Sequence, residues 1–324
     1  AYEASKDGLT HTVRLRKGVQ FHHGKELGVE DVEASLRRWA RLSGNGKVLF
    51  GRLESLTSPD KYTLVFKLKA PFGIFDLALS LLGQGAGIYP KDTIEEAGTG
   101  QIKRHIGTGP YKFVEHQKDR FIRLARFDNY ASRGDKADGF GGKKHAFFDE
   151  IRFIPVPDQS VRVAGVQSGE FDYADNINTD QYPLLKDSPQ ARTIVVTLGR
   201  VLCAFFNLKS PATADAKVRQ AALACLDMEP LLKAGWGTPE FYRLNPCLMW
   251  KGTPWYTEAG KEFYNQKNLD RAKQLLKESR YKGEPIRWMT TKEFPWLYQE
   301  SVVAGQAMQA AGLNVKLEMT DWAT

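Results

Sequence analysis

The chain of 324 residues has no long apolar run. A helix that crosses a bilayer needs about 20 consecutive apolar residues. The greasiest window, Ile74 to Leu82, is far shorter and contains Asp76 and Ser80. Cysteine is scarce: Cys203, Cys225 and Cys247 lie far apart and form no C-x-x-C pair, which excludes a zinc ribbon and a thioredoxin-like redox motif. Their odd number implies a free thiol or a partner outside this sequence, and Cys203 and Cys225 read as small buried residues. Dense blocks of one charge sign are also absent. The 46 basic residues are scattered among 38 acidic ones, so the net charge of +8 describes a solvated basic surface and not a nucleic-acid interface. Ala1 to Gly8 carry neither the basic start nor the apolar stretch of a secretory signal.

Catalytic signatures are missing too. There is no H-E-x-x-H, no G-x-S-x-G and no Walker-type loop. In Gly165, Val166, Gln167, Ser168, Gly169 the serine stands one position late, at a predicted helix end, so capping accounts for it. His22 and His23 are neighbours on an extended segment, point to opposite faces, and read as turn residues and not as a metal pair. A hydrolase using Asp172 or Asp175 as a base would need a nucleophile or metal that the sequence does not offer. The aromatic clusters Trp250, Trp255, Tyr256 and Phe294, Trp296, Tyr298 read first as core anchors and second as stacking platforms for a ligand.

What is present is a mixed α/β pattern without repeats. Val29, Val32, Leu36 and Trp39 put an apolar stripe on a helix that carries Arg37, Arg38 and Arg41 toward its C-terminal end. Leu53 to Leu56 and Tyr62 to Leu68 read as a hairpin turning at Ser58 to Asp60, with Leu64, Phe66 and Leu68 facing inward. Gly83 to Gly87 predicts a loop or a close backbone approach, with no helix after it to bind phosphate. In Gly107, Thr108, Gly109, Pro110, Tyr111, positive φ at the glycines would make a tight turn into a strand Tyr111 to Glu115. A second strand spans Arg120 to Phe127, and Ala131 to Lys144 is an exposed loop.

Asp158 caps a helix from Gln159 to Ser168 that stops at Gly169. Strands are expected at Glu170 to Ala174 and Val201 to Leu208. A helix then carries Val218, Ala222 and Cys225 on one face, and Pro230 opens the next after Asp227. Asn268 begins another, the last runs from about Trp296 to Gly312, and Leu313 to Met319 closes as a strand. The expected seam lies near Leu198 to Phe206.

Several landmarks stand in collinear order along the whole chain. They are Val13 to Phe21; Val29, Glu30, Asp31, Val32 with Ser35 and Arg38; Gly107 to Tyr111; Val156, Pro157, Asp158 with Arg162, Gly169, Glu170 and Asp172; Val218 to Ala221 with Asp227; and Ala272, Lys273, Leu275, Leu276 with Tyr281. Together they resemble the extracellular solute-binding proteins of ABC importers, in the peptide- and nickel-binding family. His23 stands where the family usually has Asp, and Gly28 where it usually has a Thr or Ser cap.

The resemblance implies an α/β, two-lobed periplasmic-binding-protein-like fold with an extra α/β domain, incomplete here at both ends. Residues 1–106 would be the extra domain, 107–200 the lobe I core and 201–324 part of lobe II. The implied function is capture of a small solute, a peptide first, between two lobes and its delivery to an ABC permease. It implies no catalytic residue, metal or cofactor, no nucleic-acid partner, a monomer, and a place in the periplasm or on the outer face of the membrane. An opine, an oligosaccharide or a metal chelate is the alternative ligand. Carried over by position, the ligand-facing residues are Gly83, Gln84, Gly85 and Ala86, then Asp175, Asn176 and Ile177, then Thr290, Thr291 and Lys292. The arginine that nickel-chelate receptors place in the first of these loops is missing. The acidic residue with which peptide receptors hold an α-amino group would lie beyond Thr324.

Overall fold

The structure, a computed structural model, describes residues 1–81, 85–196 and 201–323. Contacts divide the chain into two compact units, Ala1–Pro155 and Val156–Thr324. The division falls ahead of the expected seam near Leu198 to Phe206.

Unit 1 begins with strands β1 (Tyr2–Ala4) and β2 (Thr10–Arg14), helices α1 (Val29–Leu42) and α2 (Gly44–Gly51), and strands β3 (Leu53–Asp60) and β4 (Thr63–Leu68). The strands form an antiparallel sheet in the order β1-β2-β4-β3, with His11 opposite Phe66 and Val13 opposite Leu64. The strand alternation holds: Leu64, Phe66 and Leu68 are buried and face Val32, Leu36 and Trp39 of α1 and Leu49 of α2. Burying four or five such side chains stabilises the unit by about 1.5–3 kcal/mol each before the entropy of ordering them is counted. Helices α3 (Phe75–Ser80) and α4 (Lys91–Ala97) follow.

Polar groups on α1 fasten the segment around α4. The fully buried Asp31 carboxylate accepts from the Gly28 N–H (3.1 Å), the Lys91 N–H (2.8 Å) and Lys25 Nζ (2.8 Å). Ser35 Oγ donates to the Asp31 carbonyl (2.8 Å) and accepts from the Tyr89 N–H (3.0 Å), while Arg38 donates to the carbonyls of Gly98 and Gly100. The bonds to Gly28, Tyr89, Lys91, Gly98 and Gly100 satisfy backbone groups that a loop would otherwise leave to water.

A second antiparallel sheet, β5 (Tyr111–Gln117), β6 (Phe121–Arg126) and β7 (Glu150–Phe153), completes unit 1. The turn that feeds it departs from expectation, because neither Gly107 nor Gly109 takes a positive φ. The turn is held from outside, by His22. The His22 N–H donates to the Gly107 carbonyl (2.9 Å), and the Gly107 N–H donates to His22 Nδ1 (3.2 Å). The ring proton is thereby left on Nε2, which donates to the Gly109 carbonyl (3.1 Å). Phe127 meets the imidazole edge-on at 5.1 Å, and its N–H donates to the Pro110 carbonyl (2.9 Å). His22 is thus a turn residue, as read, with the added task of clamping the run that opens the second sheet.

Unit 2 contains helices α5 (Gln159–Ser168), α6 (Tyr182–Leu185), α7 (Pro211–Ala214), α8 (Ala216–Ala224), α9 (Met228–Trp236) and α10 (Leu269–Lys277), then β8 (Ile286–Thr290), α11 (Pro295–Ala310) and β9 (Val315–Met319). Strands β8 and β9 pair in parallel, Ile286 with Val315 through Thr290 with Met319, and α11 supplies the crossover that a parallel pair requires. The core gathers Val218, Ala221, Ala222 and Ala224 of α8, Ala272 and Leu275 of α10, Met308 of α11, and Ile286 and Val315 of the strands. Asp158, Asp215, Asp227 and Asn268 each accept a backbone N–H at the start of α5, α8, α9 and α10. Gly169 ends α5 at φ 80°, a left-handed conformation that glycine adopts without steric cost.

Three expectations fail in unit 2. Glu170 to Ala174 forms no strand, because the Phe171 N–H turns back to the Gly165 carbonyl (3.0 Å) and its ring lies under α5. Val201 to Leu208 finds no partner strand among the described residues, and Cys203 is therefore exposed while Cys225 is buried as expected. Helix α9 opens at Met228 and not at Pro230, since Asp227 caps it directly. Among the described residues no helix is long and apolar enough to cross a membrane.

The His22 clamp is testable. Burial is the largest influence on the imidazole and lowers its pKa below the ordinary 6.5; the Gly109 carbonyl opposes this, and Lys112 and His23 reinforce it. The unfolded chain takes up a proton near 6.5 that the folded chain resists, so the clamp contributes fully above that pH and its contribution is lost as pH falls through the depressed folded value. His22→Ala should therefore cost about 1–3 kcal/mol at neutral pH, from two hydrogen bonds in a partly buried site. The gap in urea midpoints between the two proteins should narrow on acidification. A gap that does not change with pH would contradict the assigned protonation state.

Candidate functional site

The three segments singled out above fall in different places. Gly83 and Gln84 lie outside the described residues. Gly85 sits so close to the Leu81 carbonyl that a Cβ would stand 2.7 Å from its oxygen, which fits the predicted close backbone approach. Ala86 packs against the core of unit 1. The other two segments both belong to unit 2, and the structure ties them to a common element.

Asp175 to Ile177 follows α5 as a loop in which Asp175 and Asn176 are exposed and Ile177 is half-buried. Asn176 adopts φ 52°, a left-handed conformation that asparagine tolerates better than other side chains do. The Asp175 carboxylate accepts from the Asn176 backbone N–H (2.8 Å) and from its amide nitrogen (3.1 Å). Arg162 on α5 holds the loop from beneath, donating to the carbonyls of Val156, Pro157 and Asn176. Gln159 Oε1 accepts from the Asn178 N–H (3.1 Å), and the Thr179 hydroxyl donates to the carbonyl of Trp236 (2.8 Å), the last residue of α9.

Thr290 to Lys292 leads from β8 into α11. Thr290 and Thr291 are buried: Thr290 Oγ1 lies 3.1 Å from Ser301 Oγ, and Thr291 Oγ1 accepts from the Glu293 N–H (3.2 Å). Lys292 reaches solvent, with Nζ 5.2 Å from the centre of the Tyr298 ring. An aromatic group comes next in the chain. Trp296 stacks on Trp236 (5.3 Å between ring centres), Phe294 leans on Trp296 (5.8 Å), and Trp322 meets Phe294 edge-on (5.1 Å) with most of its own surface exposed. The core-anchor reading therefore holds for Trp296 only in part, and Trp255 is largely exposed.

Trp236 joins the two segments. Its carbonyl receives Thr179, its ring lies on Trp296, and its indole N–H donates to Glu300 Oε1 (2.8 Å). Glu300 is buried on α11, and burial pushes its carboxyl up to about 7 while the Trp236 bond opposes the rise. Gly235 makes the approach possible, because a Cβ there would stand 2.5 Å from Glu300 Oε1. None of Trp236, Gly235, Thr179 and Glu300 was singled out from the sequence. The signal available was a lone acidic residue on an otherwise uncharged helix, facing a Gly-Trp-Gly helix end.

Among the described residues no group of three or more His, Cys, Asp or Glu side chains could hold a metal ion. A depression at the start of α1 is lined by Lys25, Glu26, Gly28, Val29, Glu30 and Lys61. Its cations are already paired, Lys25 with Glu30 and Asp31 and Lys61 with Glu26.

Comparison with known structures defines the fold as that of periplasmic binding proteins. The whole chain superposes on 63% of the PBP AgaA of A. tumefaciens R10, solved with agropinic acid, at a TM-score of 0.82 and 23% identity. It superposes on 65% of the oligopeptide-binding protein AppA of Bacillus subtilis, solved with a nonapeptide, at a TM-score of 0.71 and 24% identity. The family model for bacterial extracellular solute-binding proteins, family 5, middle part, matches residues 1–324, and the chain belongs to that family. Among curated relatives, a probable peptide ABC transporter periplasmic-binding protein, y4tO of Sinorhizobium fredii, is 27% identical over 98% of this chain. AppA of Bacillus subtilis is likewise 27% identical over 97% of it. The chain spans about three fifths of the length of these relatives, 61% and 59%.

Packing at the α9–α11 crossing yields a direct test. Gly235→Ala should destabilise the protein by about 1–3 kcal/mol, the usual cost of forcing a methyl into a filled site. Most of that cost should vanish in a Glu300→Ala background, where the clashing carboxyl is gone. Equal costs in both backgrounds, measured by denaturant melts of the four proteins of the cycle, would show that Gly235 does not face Glu300.

Proposed function

We propose that this protein is the solute-capturing component of an ABC importer, outside the cytoplasmic membrane, and that its first ligand class is a peptide. Family membership across all 324 residues carries the reading. Relatives named for peptide and oligopeptide binding support the ligand class. In this reading residues 1–106 form the extra domain, 107–200 the lobe I core and 201–324 part of lobe II. One sheet falls in each of the first, second and third parts, which supports the division. Binding favours a closed form that a permease recognises, a population shift in which no bond is made or broken.

The ligand-facing segments are Gly83 to Ala86, Asp175 to Ile177 and Thr290 to Lys292. Of these, Asp175 and Lys292 are exposed and of opposite charge, which suits a ligand that carries both charges. Thr290 and Thr291, being buried, act by fixing the backbone that presents Lys292. The opine alternative is kept because AgaA, solved with agropinic acid, shares the fold.

Calorimetric titration of the whole protein with trialanine and with agropinic acid separates the ligand classes. Saturable binding of the peptide, recovered unchanged, is the expected result, with Lys292→Ala weakening it about 10- to 150-fold, the worth of one charge-assisted contact. Binding of agropinic acid alone would assign the alternative. Cleavage of the peptide would overturn the binding reading altogether.

A further inference from the structure

We propose that Glu300 is a positioning residue: its carboxyl orients the Trp236 indole, and Trp236 through its main-chain carbonyl holds Thr179 and the Asp175–Ile177 loop, so that loss or gain of a proton at Glu300 is transmitted to that loop. The role of the loop in ligand capture rests on the reading above; the linkage itself does not.

The geometry is a continuous chain of short contacts. The indole N–H to Glu300 Oε1 distance is 2.8 Å, and the Thr179 hydroxyl to Trp236 carbonyl distance is also 2.8 Å. Trp236 ends α9, where carbonyls have no partner within the helix and must find one elsewhere. Gly237, at φ 78°, follows at once, and its N–H donates to the Lys233 carbonyl. The last turn of α9 is therefore gripped on one side by the Glu300 bond and the Trp296 stack, and on the other by Thr179. A shift of the indole moves the carbonyl that Thr179 reads.

Glu300 is also electrically isolated. The charged groups on the elements packed against α11 are Glu229 and Lys233 on α9, Arg287 on β8, and Lys316 and Glu318 on β9; Tyr298 is the other titratable group on α11, and Lys292 and Glu293 precede it. Arg287 pairs with Glu318, and none of these groups forms an ion pair with Glu300. Its proton affinity is set by burial and by the indole alone, which places the change of charge near neutral pH. The ionised carboxylate is the stronger acceptor, so the latch tightens as pH rises through about 7. The folded carboxyl holds its proton up to that pH, whereas the unfolded one releases it near 4.5, so the contribution of Glu300 to stability is full below 4.5, declines from there to about 7 and is lost above it.

The test needs no ligand, so its failure is distinct from failure of the binding reading. In the whole protein, labelled with nitrogen-15, the Trp236 indole N–H and the Thr179 backbone N–H are followed by NMR from pH 5 to pH 9. Both resonances should move with one shared midpoint near 7. In Glu300→Gln, which keeps the acceptor but cannot ionise, both should be flat over that range. Should Glu300→Gln fail to fold, Trp236→Phe keeps the ring and removes the donor, and the Thr179 resonance should then lose its titration. A Trp236 resonance that does not titrate, or a Thr179 resonance that ignores the Trp236 midpoint, overturns the proposal.

Discussion

The hydrogen bond from the Trp236 indole to the buried Glu300 carboxyl is the interaction on which the candidate site of unit 2 depends. A carboxyl buried without a partner is costly, and here the Trp236 indole supplies a bond that offsets its desolvation. The bond forms because Gly235 clears the path between two helices, and it fixes the end of α9 against the start of α11. Both candidate segments of the unit hang from that junction, one through Thr179 and the other through the turn that leads to Trp296.

The residues that mark the family are largely stitching groups. Asp31, Ser35 and Arg38 bind the backbone around Tyr89 to Gly100; Arg162 binds Val156, Pro157 and Asn176; Arg219 binds the carbonyls of Thr213 and Ala214 (both 2.8 Å). The Tyr281 hydroxyl donates to the Glu284 carbonyl and accepts from the Asn314 N–H, tying the entry of β8 to that of β9. Loops that border a ligand cleft carry many backbone polar groups, and a guanidinium with five donors can satisfy several at once. Such landmarks identify the scaffold and say little about the ligand.

Much of this was legible in the sequence where a local rule governs. The stripe Val32, Leu36, Trp39, the alternation Leu64, Phe66, Leu68, and the helix starts at Asp158 and Asn268 depend on neighbours three or four residues away or fewer, and each stands where read. Legibility ended where the deciding contact is remote. The glycines of Gly107 to Pro110 keep ordinary φ because His22, 85 residues earlier, holds the turn from outside. Val201 to Leu208 has strand composition but no partner strand, and pairing is not a property of one segment. Glu300 and Trp236 are 64 residues apart, and only their crossing helices show that they meet.

The central claim is that the protein holds a solute and leaves it unchanged. Native mass spectrometry of the whole protein, purified from its own organism without denaturation, tests this most directly. The account predicts one small molecule per chain, released intact on unfolding and identical before and after prolonged incubation with the protein. A molecule that is chemically altered during incubation would contradict it.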